Sequence, residues 1–155
     1  MLLDGVNHVA ILTKDTDALH AFYRDVFDAV VRDDFPAGPG MRLSFVDIGP
    51  HTELNVFQVD GNDETAKTGA MFGRGPIDHM GLQAESIEAF DTIRDRLIER
   101  GASDGFVTDF GPILSCFFVG PDGLEGEVCI ENPNSKPGVT NPPGTKAEGY
   151  DVVTR

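Results

Sequence analysis

A short stretch of this chain occurs twice, and that repetition constrains the fold more than any other feature. Gly5-Val6-Asn7-His8-Val9-Ala10-Ile11 returns as Pro76-Ile77-Asp78-His79-Met80-Gly81-Leu82, with 71 residues between His8 and His79. Self-similarity at a fixed spacing means one supersecondary unit used twice. Each copy reads as an apolar strand leading into a helix. The first helix is expected over residues 16–28, with Asp15 as N-cap and Leu19, Phe22, Tyr23, Val26 and Phe27 on one face. The second is expected over residues 87–100, with Ser86 as N-cap, Gly101 at C′ and Phe90, Ile93, Leu97 and Ile98 as the buried stripe.

Strands follow each helix. Residues 41–47 turn at Gly49-Pro50 into residues 53–59, and residues 114–119 turn at Asp122-Gly123 into residues 127–130. Matching the two turn glycines gives a spacing of 74 residues and sets Glu53 against Glu127. The fold class is therefore α+β: two βαβββ modules, residues 1–60 and 76–132, forming a cupped mixed sheet. Residues 61–75 read as a linker, Gly73-Arg74-Gly75 included. Residues 133–155, rich in Pro and Gly, read as an extended tail packed on the body or on a partner chain.

The two-residue period of a strand decides which side chains share a face. Val9, Ile11, Leu54 and Val56 are expected toward the first helix, and Met80, Leu82, Val128 and Ile130 toward the second. The other face then carries His8, Glu53 and Asn55 in one module and His79, Glu127 and Cys129 in the other. Two imidazoles and two carboxylates are a donor set for a divalent ion, with open positions for water or a chelating substrate. His8, Glu53, His79 and Glu127 are the expected metal ligands. Glu125 and Glu131 share the parity of Glu127, which is preferred on its distance from the turn glycine. His20 is expected at the surface of the first helix and His51 at the rim of the site.

Composition removes other classes of function. The chain has 12 Lys plus Arg against 26 Asp plus Glu, a net charge of −14, which disfavours a nucleic-acid partner or an anionic membrane surface. No apolar run has the length of a membrane span. The first residues lack a basic n-region and carry Asp4, so a cytoplasmic location is expected. Cys116 and Cys129 flank Asp122-Gly123 and are expected as free thiols, facing each other across the hairpin.

Three motifs together resemble the vicinal oxygen chelate superfamily of glyoxalase I, bleomycin-resistance proteins and extradiol dioxygenases. They are Asn7-His8-Val9-Ala10-Ile11 with Ala21-Phe22-Tyr23-Arg24-Asp25-Val26-Phe27; Ile77-Asp78-His79-Met80-Gly81-Leu82; and Gly120-Pro121-Asp122-Gly123-Leu124-Glu125-Gly126-Glu127-Val128. The resemblance implies paired βαβββ modules around one divalent ion (Zn, Ni, Co, Mn or Fe). It carries ligands onto His8, Glu53, His79 and Glu127, contributed by one chain or by two. A two-His, two-Glu set is similar to the glyoxalase branch: a lyase or isomerase acting on a small molecule that chelates through adjacent oxygens, with Glu127 or Glu53 as base. The alternatives are an Fe(II) extradiol-type dioxygenase using two His and one Glu, and a non-catalytic binder of the bleomycin-resistance kind. A homodimer is expected in each case.

Overall fold

A computed structural model describes residues 1–66 and 69–154, apart from the side chain of Ala66. Residues 67–68 of the expected linker and Arg155 of the expected tail lie outside the described residues. The chain divides into two compact units, Met1–Thr68 with Pro121–Gly123, and Gly69–Gly120 with Leu124–Arg155. The second unit thus begins inside the stretch read from sequence as linker.

The first unit runs β1 (His8–Leu12), α1 (Thr16–Phe27), β2 (Val30–Gly38), β3 (Met41–Asp47) and β4 (Glu53–Val59). Its sheet has the order β1-β4-β3-β2, with β1 parallel to β4 and the other neighbours antiparallel. A parallel pair needs a long crossover, which α1 and the β2–β3 hairpin supply. Asp15 caps α1 by accepting from the Ala18 amide at 2.9 Å. At the other end Asp28 takes a left-handed turn, φ 55°. Leu19, Phe22, Tyr23 and Val26 form the buried stripe of the helix, and Val46, Leu54 and Val56 are buried in the sheet.

His20 is a correction to the sequence reading. It is buried, not at the surface, and its Nε2 lies 2.7 Å from the Oγ of Ser44, which is itself fully buried. The residue sits at the edge of the α1 stripe, one turn from Thr16, and the helix-facing hydroxyl of β3 satisfies it. Burial pushes its pKa down. Strand β2 carries no strand signal in the sequence, because a mostly exposed run with Arg32, Asp33, Asp34 and Pro36 lacks an apolar alternation. It forms the outer edge of the sheet, with register shifts at Val31/Asp33 and Pro36/Gly38. Charge, proline and bulges are what an exposed edge tolerates and uses against aggregation.

The second unit repeats the plan with β5 (Met80–Gln83), α2 (Ile87–Glu99), β6 (Val107–Asp109), β7 (Ile113–Val119) and β8 (Glu125–Glu131), in the order β5-β8-β7-β6. Ser86 caps α2 through the Ala89 amide at 3.1 Å, and Gly101 follows the C-cap at φ 68°. Phe90 and Leu97 are fully buried, while Ile93 and Ile98 are only half-buried. In the β7–β8 hairpin Cys116 pairs with Val128, and Ser115 pairs with Cys129. The cysteines are therefore one register position apart and point to opposite faces, so they do not face each other. Both are free.

The tail packs on its own unit. Lys146 bridges to Thr108, the Ala147 amide donates to the Val107 carbonyl at 2.9 Å, and the Asp109 amide donates to the Thr145 carbonyl at 2.8 Å. Those bonds cover the open edge of β6. Tyr150 sets its ring edge-on to Phe90 and lies under the guanidinium of Arg94. Among the described residues no helix is long and apolar enough to cross a membrane.

Candidate functional site

In the second unit a chain of polar contacts builds up from β5 and the β7–β8 hairpin. His79 stands just before β5, with Nδ1 2.9 Å from Oδ1 of the adjacent Asp78. That contact turns Nε2 toward Glu127, whose Oε1 lies 3.5 Å away. The Ser115 hydroxyl donates to Oε2 of Glu127 at 2.5 Å, and the His79 ring meets Phe117 edge-on at 5.6 Å. Asp78 is the main reason that the His79 pKa is raised, with Glu127 adding to it against the effect of burial. The same hydrogen bond lowers the Asp78 carboxyl.

Gly81 is the register partner of Glu127. A Cβ at this position would come within 3.3 Å of Glu127 Oε1 and 3.7 Å of Cys129 Sγ, so the glycine keeps space open beside the carboxylate. Burial, with the charge of Glu127, raises the Cys129 thiol to about 11. That makes it a poor nucleophile near neutrality. Glu125 is engaged by Arg74 Nη2, and Arg74 also binds the Gly69 carbonyl at 2.8 Å. Arg74, read from sequence as linker, is thus a largely buried member of the second unit. Glu131 is exposed at the end of β8.

The first unit presents the corresponding face with different chemistry. His8, exposed at the start of β1, has Nδ1 2.9 Å from Oδ1 of Asn7, as His79 has Asp78. An oxygen partner on Nδ1 fixes the ring and leaves Nε2 as the free donor, the arrangement found behind metal-bound imidazoles. Glu53 lies directly across from His8 in the register, but its Oε2 accepts from Arg32 Nη2 at 2.5 Å. Arg32 also binds Asp47 at 3.1 Å and lies over the Phe45 ring. Two residues on, Asn55 holds its Oδ1 buried with no hydrogen-bond partner among the described residues. His51 is exposed ahead of β4.

The register corrects the equivalence drawn from the turn glycines. With Val9 matched to Met80, their partners Leu54 and Gly126 also match. Glu53 therefore corresponds to Glu125, and Asn55 corresponds to Glu127. The hairpins agree: Asp47 faces Glu53 as Val119 faces Glu125, and Phe45 faces Asn55 as Phe117 faces Glu127. The two connections have equal length, but the glycine moves within them. Gly123 supplies a left-handed turn at φ 77°, whereas Gly49 is not at positive φ, so the two glycines are not equivalent landmarks. A spacing of 72 residues, which the strands of the two hairpins keep, would have exposed Asn55. Arg32, Arg74 and Ser115 are legible only once the register is known.

Among the described residues no group of three or more His, Cys, Asp and Glu is arranged to hold a metal ion. Each unit by itself offers fewer donors than that. In the second, the 3.5 Å between His79 Nε2 and Glu127 Oε1 is close to the roughly 3.0–3.4 Å between two donors sharing one ion at about 2.1 Å. The donor types and this spacing fit a divalent ion.

Comparison with known proteins accords with the fold. The sequence pattern of the Glyoxalase/Bleomycin resistance protein/Dioxygenase superfamily matches residues 5–128. A glyoxylase/bleomycin resistance protein/dioxygenase domain from Frankia sp. EAN1pec is similar in structure with a TM-score of 0.69 at 20% identity, over 84% of this chain and 99% of that one. The fosfomycin resistance protein FosX from Listeria monocytogenes, solved with Mn(II) and sulfate, gives a TM-score of 0.60 at 16% identity, over 85% and 96%. The trypanothione-dependent glyoxalase I of Leishmania major gives 0.58 at 20% identity, over 83% and 88%. At these identities the likeness speaks for the fold alone. No protein of curated function matches the sequence. A match over residues 5–128, on two units that share one strand order, means that the chain belongs to the Glyoxalase/Bleomycin resistance protein/Dioxygenase superfamily.

Proposed function

We propose that the chain is a divalent-metal-dependent enzyme of the glyoxalase kind, a lyase or isomerase acting on a small molecule with two adjacent oxygens. The observation that carries this reading is the Asp78–His79–Glu127–Ser115 chain of contacts, a pre-oriented imidazole beside a hydrogen-bonded carboxylate. His79 and Glu127 would hold the ion, with His8 as a further imidazole donor from the same chain or a second copy. Glu53, the remaining expected ligand, would first have to leave Arg32. Bound there, the ion would polarise the substrate's oxygens and acidify the neighbouring C–H. The residues do the rest. Asp78 fixes His79, Ser115 orients Glu127, and Gly81 leaves room for the substrate beside it. Of the two carboxylates expected as base, Glu127 is better placed to take the carbon-bound proton, because Glu53 is engaged by a guanidinium.

The test is metal content of the purified chain, followed by metal-dependent exchange of the C–H next to a carbonyl in α-hydroxyketones and thiol adducts of 2-oxoaldehydes, read by NMR in D₂O. Stoichiometric divalent metal with exchange lost in Glu127→Gln is the expected result; a chain that binds no divalent ion refutes the reading. A second reading, an Fe(II) extradiol-type dioxygenase, is favoured by the engagement of Glu53, because His8, His79 and Glu127 alone make a two-His, one-carboxylate set. Oxygen uptake with catechols, dependent on Fe(II), would select it. Either reading includes a homodimer, with the exposed Val30 and Phe35 side chains as apolar surface that a second copy would cover.

A further inference from the structure

One backbone position in the second unit is held against its own preference. The Gly73 amide donates to the Ala70 carbonyl at 2.9 Å and closes a turn over residues 70–73. The third residue of that turn is Phe72, at φ 67°. Glycine or asparagine takes this left-handed conformation readily, and a bulky residue rarely does. Phe72 is 89% exposed, so burial of its ring does not hold it there. Polar contacts do. Its amide donates to Asp78 Oδ2 at 2.5 Å, and Arg74, with its side chain only 13% exposed, draws the loop shut from the other side. Arg74 Nε donates to the Gly69 carbonyl at 2.8 Å, Nη1 reaches the Asp78 carbonyl at 3.4 Å and Oδ1 at 3.5 Å, and Nη2 binds Glu125. Asp78 Oδ1 in turn lies 2.9 Å from His79 Nδ1.

We infer that Arg74 is a positioning residue for His79, acting through Phe72 and Asp78 to decide which ring nitrogen carries the proton. A neutral imidazole has one N–H, and two carboxylates compete for it: Asp78 at 2.9 Å from Nδ1 and Glu127 at 3.5 Å from Nε2. An ionised carboxylate only accepts, so the closer and better fixed one takes the proton and sets the tautomer. Arg74 ties Gly69 to Asp78 and keeps the turn closed; the turn keeps the Phe72 amide on Oδ2; a carboxylate fixed at Oδ2 presents Oδ1 to Nδ1. Without that tie Phe72 relaxes out of the left-handed region, Asp78 is released, and the proton moves to Nε2, toward Glu127. In the first unit Arg32 takes the equivalent glutamate, Glu53, but comes from β2 and reaches Asp33 and Asp47, so among the described residues no such tie runs to Asn7 and His8. The inference deepens the metal reading above, on which its bearing on the reaction rests, because an Nε2 that holds a proton has no lone pair to give to an ion.

The test is a long-range ¹H–¹⁵N spectrum of the metal-free full chain, recorded where the ¹⁵N shifts show a neutral ring, with the His79 signals assigned by their loss in His79→Gln. Wild type should favour the Nδ1 proton over the Nε2 proton by at least about fivefold. Arg74→Met keeps the buried stem, and Phe72→Pro removes the amide donor and sets φ near about −65° at an exposed position; each should lower that ratio at least about threefold. Phe72→Gly, free to take the left-handed turn, and Arg32→Met should stay within about twofold of wild type. Far-UV circular dichroism and urea unfolding check that the variants fold. A residue that serves stability alone would lower the urea midpoint and leave the ratio where it was. A ratio within about twofold of wild type in folded Arg74→Met, or in Phe72→Pro should Arg74→Met not fold, overturns the inference. So does a wild type with its proton mainly on Nε2, or an equal fall in Arg32→Met. Calorimetric titration of the wild-type chain with Zn(II) separates the two levels. If no ion binds and the ratio falls as expected, only the metal reading fails; if the ion binds and the ratio does not move, only the inference fails.

Discussion

The buried pair of His20 and Ser44 allows a quantitative test of how the first unit is held together. His20 Nε2 and Ser44 Oγ are 2.7 Å apart inside the helix–sheet interface. Ser44→Ala removes the partner and leaves an imidazole nitrogen buried without one, which costs about 1–3 kcal/mol. Adding His20→Leu to that background removes the orphan as well, so the double variant should recover part of the loss. The histidine also sets a pH dependence. Burial lowers its folded pKa below the ordinary 6.5, while the nearby Asp34 pulls upward and Arg42 downward. The unfolded chain therefore takes up a proton below about pH 6.5 that the folded chain resists, and stability falls as the pH drops through that window. The slope from this residue is at most about 1.4 kcal/mol per pH unit. Urea unfolding of wild type and His20→Leu between pH 7.5 and 5 isolates it, because the carboxylates titrate in both proteins and cancel. The advantage of wild type over His20→Leu should shrink on acidification. A gap independent of pH, or a Ser44→Ala penalty below about 0.5 kcal/mol, would refute the argument.

Three further outcomes follow from particular contacts. Gly111 sits at φ 95°, and a Cβ there would lie 2.3 Å from the Val139 carbonyl oxygen, so Gly111→Ala should cost about 2 kcal/mol and speed amide exchange at residues 145–147. Asp78→Ala removes the hydrogen bond that does most to raise the His79 pKa; in the metal-free protein an NMR titration of His79 should show a lower midpoint than wild type. Cys129, with its thiol raised to about 11, should react with a disulfide reagent at pH 8 more than tenfold slower than free cysteine, and faster as the pH approaches 11.

What the sequence made legible was local. The caps Asp15 and Ser86 lie within three residues of the amides they accept from, so the helix starts follow from the composition of a single turn. Residues 41–45 and 53–56 alternate apolar and polar side chains, and strands form over 41–47 and 53–59. Strand β2 was hidden because an edge needs no apolar face, and β6 because three residues carry no period. His20 was misread for a related reason: a helix position beside the apolar stripe is buried or exposed according to what the sheet offers opposite. Here Ser44 offers a hydroxyl.

The pairing of each histidine with its neighbour was legible in the sequence and the register of the carboxylates was not, and the cause is geometric. Each histidine and its Nδ1 partner are adjacent in sequence, so Asn7-His8 and Asp78-His79 declare themselves. The oxygen donors lie across a hairpin, where a shift of two residues keeps the parity and changes the neighbour. Counting from the glycine paired Glu53 with Glu127; counting along the strands pairs Asn55 with it. The same register sets Leu43 against Ser115 and Phe57 against Cys129. At three equivalent places, then, the second unit carries a carboxylate, a hydroxyl and a thiol where the first carries an amide and two hydrocarbons. At these three places the ionisable side chains stand on the second unit.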